Sequence, residues 1–265
     1  MLEKILERKR QEIAQAKRRL PLEALKERVS HHAQERNFRQ AIQQEGRITL
    51  IAELKRKSPS KGMLRERFDP VSLAQTMEDA RASALSVLTD EPFFGGHLEF
   101  LRDVKQFTEL PALRKDFLID PYQVYESALY QADAALLIVR ILGDPLLQEL
   151  LKISHVFGIE SLVEVHSEDD LSRAIQAGAQ VIGINHRDLE TFQMDAHLSE
   201  RLMARMPSGK VVVAESNIQC AEDVLRMKRL GVHAVLVGEA LMTAPDVSEK
   251  IRELFSGVWD EGSGT

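Results

Sequence analysis

The chain is 265 residues long, 44% hydrophobic and 29% charged, with 35 basic against 41 acidic residues and a formal net charge of −6. That balance excludes a broad nucleic-acid surface, and no apolar run approaches the roughly 20 residues of a membrane span. An anionic ligand must therefore be held by a local cluster of basic groups. At this length one α/β barrel of about 250 residues is a natural solution, so residues 1–265 are read as one domain.

In chain order, residues 1–46 form an N-terminal helical extension. Leu2, Ile5, Leu6 and Ile13, then Leu22, Leu25 and Val29 after Pro21, recur at helical spacing between charged residues. Charges interrupt every apolar pair and no small-residue cleavage site follows, so the segment is not an export signal and a cytoplasmic location is expected. The single cysteine, Cys220, excludes an internal disulfide, in agreement with a reducing compartment. It is read as a packed cysteine near a helix start.

Eight strand candidates follow: ITLIAEL (48–54), ALSVLTD (84–90), ALRKDF (112–117), AALLIVR (134–140), ESLVEVH (160–166), VIGINHR (181–187), KVVVAES (210–216) and AVLVGEAL (234–241). Between them lie helix starts at Asp69-Pro70, Asp120-Pro121, Asp144-Pro145, Ser167 with Asp170, and Pro245, while Gly178 and Gly231 sit where helices should end. Alternating strands and helices with short links predict an α/β fold, a (β/α)8 TIM barrel carrying the N-terminal extension. No glycine-rich dinucleotide fingerprint follows the first strand, and SPSKG (58–62) lacks P-loop spacing. The terminal GSGT reads as a frayed tail.

In such a barrel the chemistry sits at the C-terminal ends of the strands. Alternation directs Ile51, Glu53 and Lys55 to one face of the first strand; Leu113, Lys115 and Phe117 of the third; Leu162, Glu164 and His166 of the fifth; Gly183 and Asn185 of the sixth; Val212, Ala214 and Ser216 of the seventh. In each case the polar residue lies near the strand's end. Glu215 has the opposite parity and is expected behind the site. Buried charges such as Glu53, Lys55, Lys115 and Glu164 must be paired, wet or occupied by ligand; the alternative is an internal ion-pair network that only stabilises the barrel. The loops after the last two strands, with Asn217 able to adopt a left-handed conformation and Gly238 allowing close approach, make a phosphate cradle together with Lys55 and Ser58. Arg65 and Arg67 are read as a solvated charged face, and His186 as pointing away from the mouth, either toward solvent or into strand–helix packing.

The stretches IAELKRKSPSKG, SVLTDEPFFGG, LRKDFLIDPYQVYES, LVEVH, IGINHRDLETF, VAESNI and LVGEALM, spread over residues 51–242, resemble the indole-3-glycerol-phosphate synthase family of tryptophan biosynthesis. The resemblance implies ring closure of 1-(2-carboxyphenylamino)-1-deoxyribulose 5-phosphate with loss of carbon dioxide and water. It implies no metal and no organic cofactor. Lys115 matches the family's general acid, Glu164 its general base and Glu53 a catalytic carboxylate that orients a lysine and the substrate amine. Lys55 is expected to stabilise the substrate's anionic groups, and Asn185 and Ser216 to hold its hydroxyls and anthranilate part. Phe94, Phe117 and Leu136 are the candidate apolar wall, and Ser58, Arg187, Glu215, Asn217, Gly238 and Glu239 the remaining binding candidates. Residues from Lys57 to Gly62 are expected to form a mobile lid.

This chain departs from the family at Asn217, where the family usually has glycine, and at His186, where it usually has Asn or Ser. Expected partners are a phosphorylated small molecule, no nucleic acid and no membrane, with the chain a monomer or weak homodimer. Of three rivals, phosphoribosylanthranilate isomerase loses, because it needs a cysteine at the end of the first strand that Cys220 cannot supply; a Schiff-base aldolase using Lys115 and a non-catalytic phosphate-binding barrel remain.

Overall fold

Strands buried on both faces need apolar residues at nearly every position, and the chain supplies them in β1 (Thr49–Leu54), β4 (Ala84–Leu88), β5 (Ala112–Lys115), β6 (Ala134–Ile138), β7 (Glu160–Val165), β8 (Val181–Asn185), β9 (Val211–Glu215) and β10 (Ala234–Val237). These pair in parallel, each with its neighbours in sequence, and β10 closes on β1 to complete an eight-stranded barrel. The remaining strands, β2 (Lys57–Ser58) and β3 (Gly62–Met63), form a small antiparallel hairpin above the mouth. The structure is a computed structural model that describes residues 1–29, 36–188, 190–191 and 193–259; the terminal GSGT lies outside them.

Most strands end earlier than the apolar runs suggest, because the chain turns out of the ladder to present its polar ends. After Ile138 it enters a 3-10 turn at Val139–Ile141, and after Val237 it enters the helix Glu239–Thr243 (α12). The helix starts follow local chemistry. Asp69, Asp120 and Ser167 accept backbone N–H bonds at the starts of α4 (Pro70–Asp79), α7 (Pro121–Leu129) and α9 (Glu168–Ala177), and Gly178 ends α9 at φ +92°. Asp144 is different: Gly143 takes the cap position of α8 (Asp144–Val156), and Asp144 pairs with Arg173 at 2.7 Å instead. Cys220 is exposed rather than packed, because it caps α11 (Ala221–Arg229) and its thiol faces Asp223.

The barrel holds two cores. The outer one lies between strands and helices and includes Val212 and Ala214; the inner one, within the barrel, includes Ile51, Leu113, Leu162, Val211 and Val213. Phe38 and Ile42 of α3 (Phe38–Ile42) join the inner core at the strands' N-terminal end, where Thr49 Oγ1 donates to the Ile42 carbonyl at 2.9 Å.

The long helix α1 (Leu2–Arg19) sits at the opposite end, and one residue ties it there. Lys9, only 4% exposed, places Nζ 3.0 Å from Asp90 Oδ2 and 2.9 Å from Asp116 Oδ1, in the loops after β4 and β5. Burial alone lowers the Lys9 pKa, but Asp116 and Asp90 outweigh it and raise it. Burial likewise pushes Asp116 up, while Lys9 and Arg114 hold it well below the usual carboxylate range. Removing one partner of a buried pair leaves the other charge uncompensated. Lys9→Met is therefore expected to lower the unfolding free energy by about 3–5 kcal/mol, read from urea denaturation. Loss of the exposed Arg8 pair with Glu12 in Arg8→Ala should cost no more than about 1 kcal/mol.

Candidate active site

Glu53 comes at the end of β1 with its carboxylate turned into the barrel, and Lys55 Nζ lies 2.6 Å from its Oε1. Lys115, the last residue of β5, reaches across the mouth to Glu164 Oε2 at 2.9 Å and hydrogen-bonds Glu215 Oε2. Three carboxylates thus face two ammonium groups in a largely dehydrated space. The burial of Lys115 works against its charge, yet Glu164, Glu215 and Glu53 raise its pKa above the usual lysine value. Burial also works against the Glu164 carboxylate, but Lys115, His166 and the neighbouring Asn185 keep it below the usual range. One lysine cannot neutralise two carboxylates equally. Burial, followed by the repulsion of Glu164 and Glu53, pushes Glu215 up in spite of Lys115.

The position of Glu215 corrects the alternation read from the seventh strand. Val211, Val213 and Glu215 face inward, whereas Val212 and Ala214 face the helices. The run Val-Val-Val-Ala is apolar on both faces and carries no parity signal. A neighbouring residue did carry one: a Cβ built on Gly183 of β8 would lie 2.2 Å from Glu215 Oε1, so the glycine makes room for this carboxylate. Ser216 reaches the mouth by another route, leaving the strand at φ +65°, followed by Asn217 at φ +58°. Two consecutive non-glycine residues held in the left-handed region store backbone strain of the kind found at functional sites. Gly238 lines the cleft and also has a close neighbour in the protein itself. Its absent Cβ would lie 2.2 Å from Glu53 Oε1, so it admits a carboxylate of the protein itself.

The six proposed catalytic positions, Glu53, Lys55, Lys115, Glu164, Asn185 and Ser216, line a single cleft. So do Ser58, Phe94, Phe117, Leu136, Arg187, Glu215, Asn217, Gly238 and Glu239, around about 1020 Å³ of space that includes open solvent. Phe94 and Phe117 form one wall, with ring centroids 6.1 Å apart. On the opposite side Asn185 Oδ1 accepts from Ser216 Oγ at 2.8 Å and from the Arg187 N–H at 3.0 Å. The rim is cationic but internally paired: Lys61 Nζ lies 2.5 Å from Glu239 Oε1, and Arg187 lies 3.4 Å from both Glu239 Oε2 and Ser60 Oγ. The hairpin that carries Ser58, Ser60 and Lys61 is thereby latched to the far side of the mouth. Sequence reading missed this Lys61 contact, because 178 residues separate the partners.

Arg65 is not simply solvated. It donates to the carbonyls of Met242 and Ala244 at 3.2 and 3.1 Å, holding the end of α12. His186 points away from the mouth and is buried, with Nε2 2.9 Å from Ser199 Oγ and Nδ1 2.9 Å from the Glu215 carbonyl. Among the described residues no group of three or more His, Cys, Asp or Glu is arranged to hold a metal ion, and no helix is long and apolar enough to cross a membrane.

A closed parallel barrel with charged side chains gathered at the strands' C-terminal ends defines an enzyme of the TIM-barrel class. Solved structures share that fold at low sequence identity. 3-Hexulose-6-phosphate synthase from Salmonella typhimurium aligns over 78% of this chain and 96% of its own with a TM-score of 0.63 at 15% identity. Thiamine phosphate pyrophosphorylase from Pyrococcus furiosus covers 82% and 96% with a TM-score of 0.62 at 16% identity. The family model described as indole-3-glycerol phosphate synthase matches residues 2–254. Curated relatives bearing that name include one from Roseiflexus sp. (strain RS-1), 46% identical over 97% of this chain and 98% of its own, and one from Dehalococcoides mccartyi (strain CBDB1), 46% identical over 96% and 100%. The chain belongs to the indole-3-glycerol phosphate synthase family, which are carboxy-lyases.

The close approach of Glu215 to Gly183 gives a test of the cluster. Gly183→Ala is expected to displace Glu215 from Lys115 and reduce turnover by roughly tenfold to a hundredfold, while circular dichroism shows the barrel still folded.

Proposed function

We propose that the chain catalyses ring closure of 1-(2-carboxyphenylamino)-1-deoxyribulose 5-phosphate to indole-3-glycerol phosphate, carbon dioxide and water. The observation that carries this reading is Lys115, held between Glu164 and Glu215 in a cleft with an aromatic wall and a cationic rim. The ring carbon bearing the carboxylate attacks the ribulose carbonyl carbon. As the new carbon–carbon bond forms, Lys115 gives its proton to the carbonyl oxygen. The carboxylate then leaves as carbon dioxide, and its bonding pair restores the aromatic ring. Glu164 next removes a proton from the carbon beside the carbinol, and the hydroxyl leaves as water with a proton from the lysine pair Lys55 and Lys115.

The electrostatics fit these roles. Lys115 has a raised pKa and stays protonated at neutral pH, as an acid must; Glu164 has a lowered one and stays ionised, as a base must. The same argument disfavours a Schiff-base aldolase, which needs a neutral lysine nucleophile. Glu53 orients Lys55 for the anionic groups of the substrate, an effect that is large where water is excluded. Phe94, Phe117 and Leu136 pack the anthranilate ring, and Asn185 and Ser216 hold its polar edge and the substrate hydroxyls. Ser58, Arg187, Asn217, Gly238 and Glu239 surround the phosphate. The proposed setting is cytoplasmic, with a phosphorylated small molecule as partner, no nucleic acid or membrane, and a monomer or weak homodimer.

Fluorescence-monitored turnover tests the reading. The wild type should form the indole product, and Lys115→Ala and Glu164→Gln should each lose roughly a hundredfold or more in kcat while remaining folded. A folded wild type that binds the substrate and yields no product would overturn it. The hairpin over the mouth should also become more resistant to protease with product bound. Equal resistance with and without ligand would argue against a lid.

A further inference from the structure

His166 follows β7 directly, two residues beyond Glu164, and its side chain is 2% exposed. The start of α9 fixes its backbone: Ser167 caps the helix, and Asp170 Oδ2 accepts the His166 N–H at 2.9 Å. Its Nε2 lies 3.3 Å from Glu164 Oε1. Among the described residues neither ring nitrogen has a hydrogen-bond partner, and neither does Glu164 Oε1. Buried polar atoms are normally satisfied, so an unpartnered ring nitrogen beside an unpartnered carboxylate oxygen asks for an explanation. His166 does not line the cleft, so substrate has no direct access to it.

We propose that His166 is a positioning residue for Glu164, donating Nε2–H to Oε1 from behind while Oε2 faces Lys115 and the substrate. This rests on the reading of Glu164 as the base. The need for a second donor follows from the reaction: when Lys115 gives up its proton, Glu164 loses the cation on Oε2 and requires a donor that the substrate does not disturb. Burial holds the imidazole pKa below its ordinary value; Glu164 and Asp170 oppose this, Arg140 and Lys115 reinforce it, and the net direction favours the neutral ring. A neutral donor orients the carboxylate without cancelling its charge. The other groups that face Glu164 are Lys115 from β5, Asn185 from β8 and Glu215 from β9, with Glu53 of β1 facing Glu215 in turn.

The experiment compares His166→Leu, His166→Gln and Glu164→Gln with the wild type. In His166→Leu, kcat should fall roughly tenfold with KM nearly unchanged. The acid limb of kcat/KM should move up by about one pH unit, because a carboxylate that loses a donor keeps its proton to higher pH. His166→Gln, whose amide can donate from a similar position, should recover most of both. A His166→Leu enzyme with a lower Tm and an unmoved acid limb would make the residue merely structural and overturn the proposal. If His166→Leu does not fold, nitrogen-15 NMR of the wild type with product bound decides: a slowly exchanging His166 Nε2–H supports the contact, and a rapidly exchanging one refutes it. Wild-type turnover by Glu164→Gln would instead remove the base assignment and this proposal with it. An inactive Glu164→Gln beside an unaffected His166→Leu would overturn only the role of His166.

Discussion

The site depends on Lys115 being shared between two buried carboxylates. An ammonium group at the dehydrated mouth of a barrel loses hydration that only close anions can replace, and Glu164 on β7 and Glu215 on β9 supply it. The sharing is unequal by necessity. Glu164 remains a carboxylate, and Glu215 is driven toward holding a proton. A second, smaller pair, Glu53 with Lys55, repeats the motif on β1. The result is an assembly in which a protonated lysine and an ionised carboxylate stand side by side before any ligand arrives.

The surrounding structure serves that arrangement. Gly183 and Gly238 leave out side chains where Glu215 and Glu53 must pass. Asp116, next to Lys115 in the chain, is anchored through Lys9 to α1, and the same lysine holds Asp90, which caps the short helix Glu91–Phe94 (α5) carrying Phe94. The N-terminal extension therefore touches both loops that build the aromatic wall. Above the mouth, the hairpin is held by Lys61 and Arg187 through Glu239.

Much of this was legible in the residues. The apolar runs, the starts at Asp69, Asp120 and Ser167 and the ending at Gly178 gave the barrel, because each is a local preference that the final fold keeps; only at Asp144 did a tertiary partner, Arg173, take the carboxylate from the cap. Glu53, Lys115 and Glu164 stood out because a charge at the inward end of a strand has few explanations. The parity of β9 was not legible, since Val211 to Ala214 are apolar on both faces, and Glu215 was accordingly placed behind the site instead of within it. Cys220 was misjudged for a similar reason: a cysteine suits a core and a helix cap equally well, and only the position of α11 decided between them.

The sequence by itself determined the order of the barrel strands and helices, because hydrophobic period and local capping act over a few residues and need no distant partner, and its motifs carried the resemblance to the family and to most of its site residues. Tertiary structure alone decided which charges meet. Lys115 and Glu215 are 100 residues apart, and Lys61 and Glu239 are 178 apart. Their contact exists only once the barrel closes, and the balance of protons among Glu164, Glu215 and Lys115 is set by the distances and the dehydration that closure imposes.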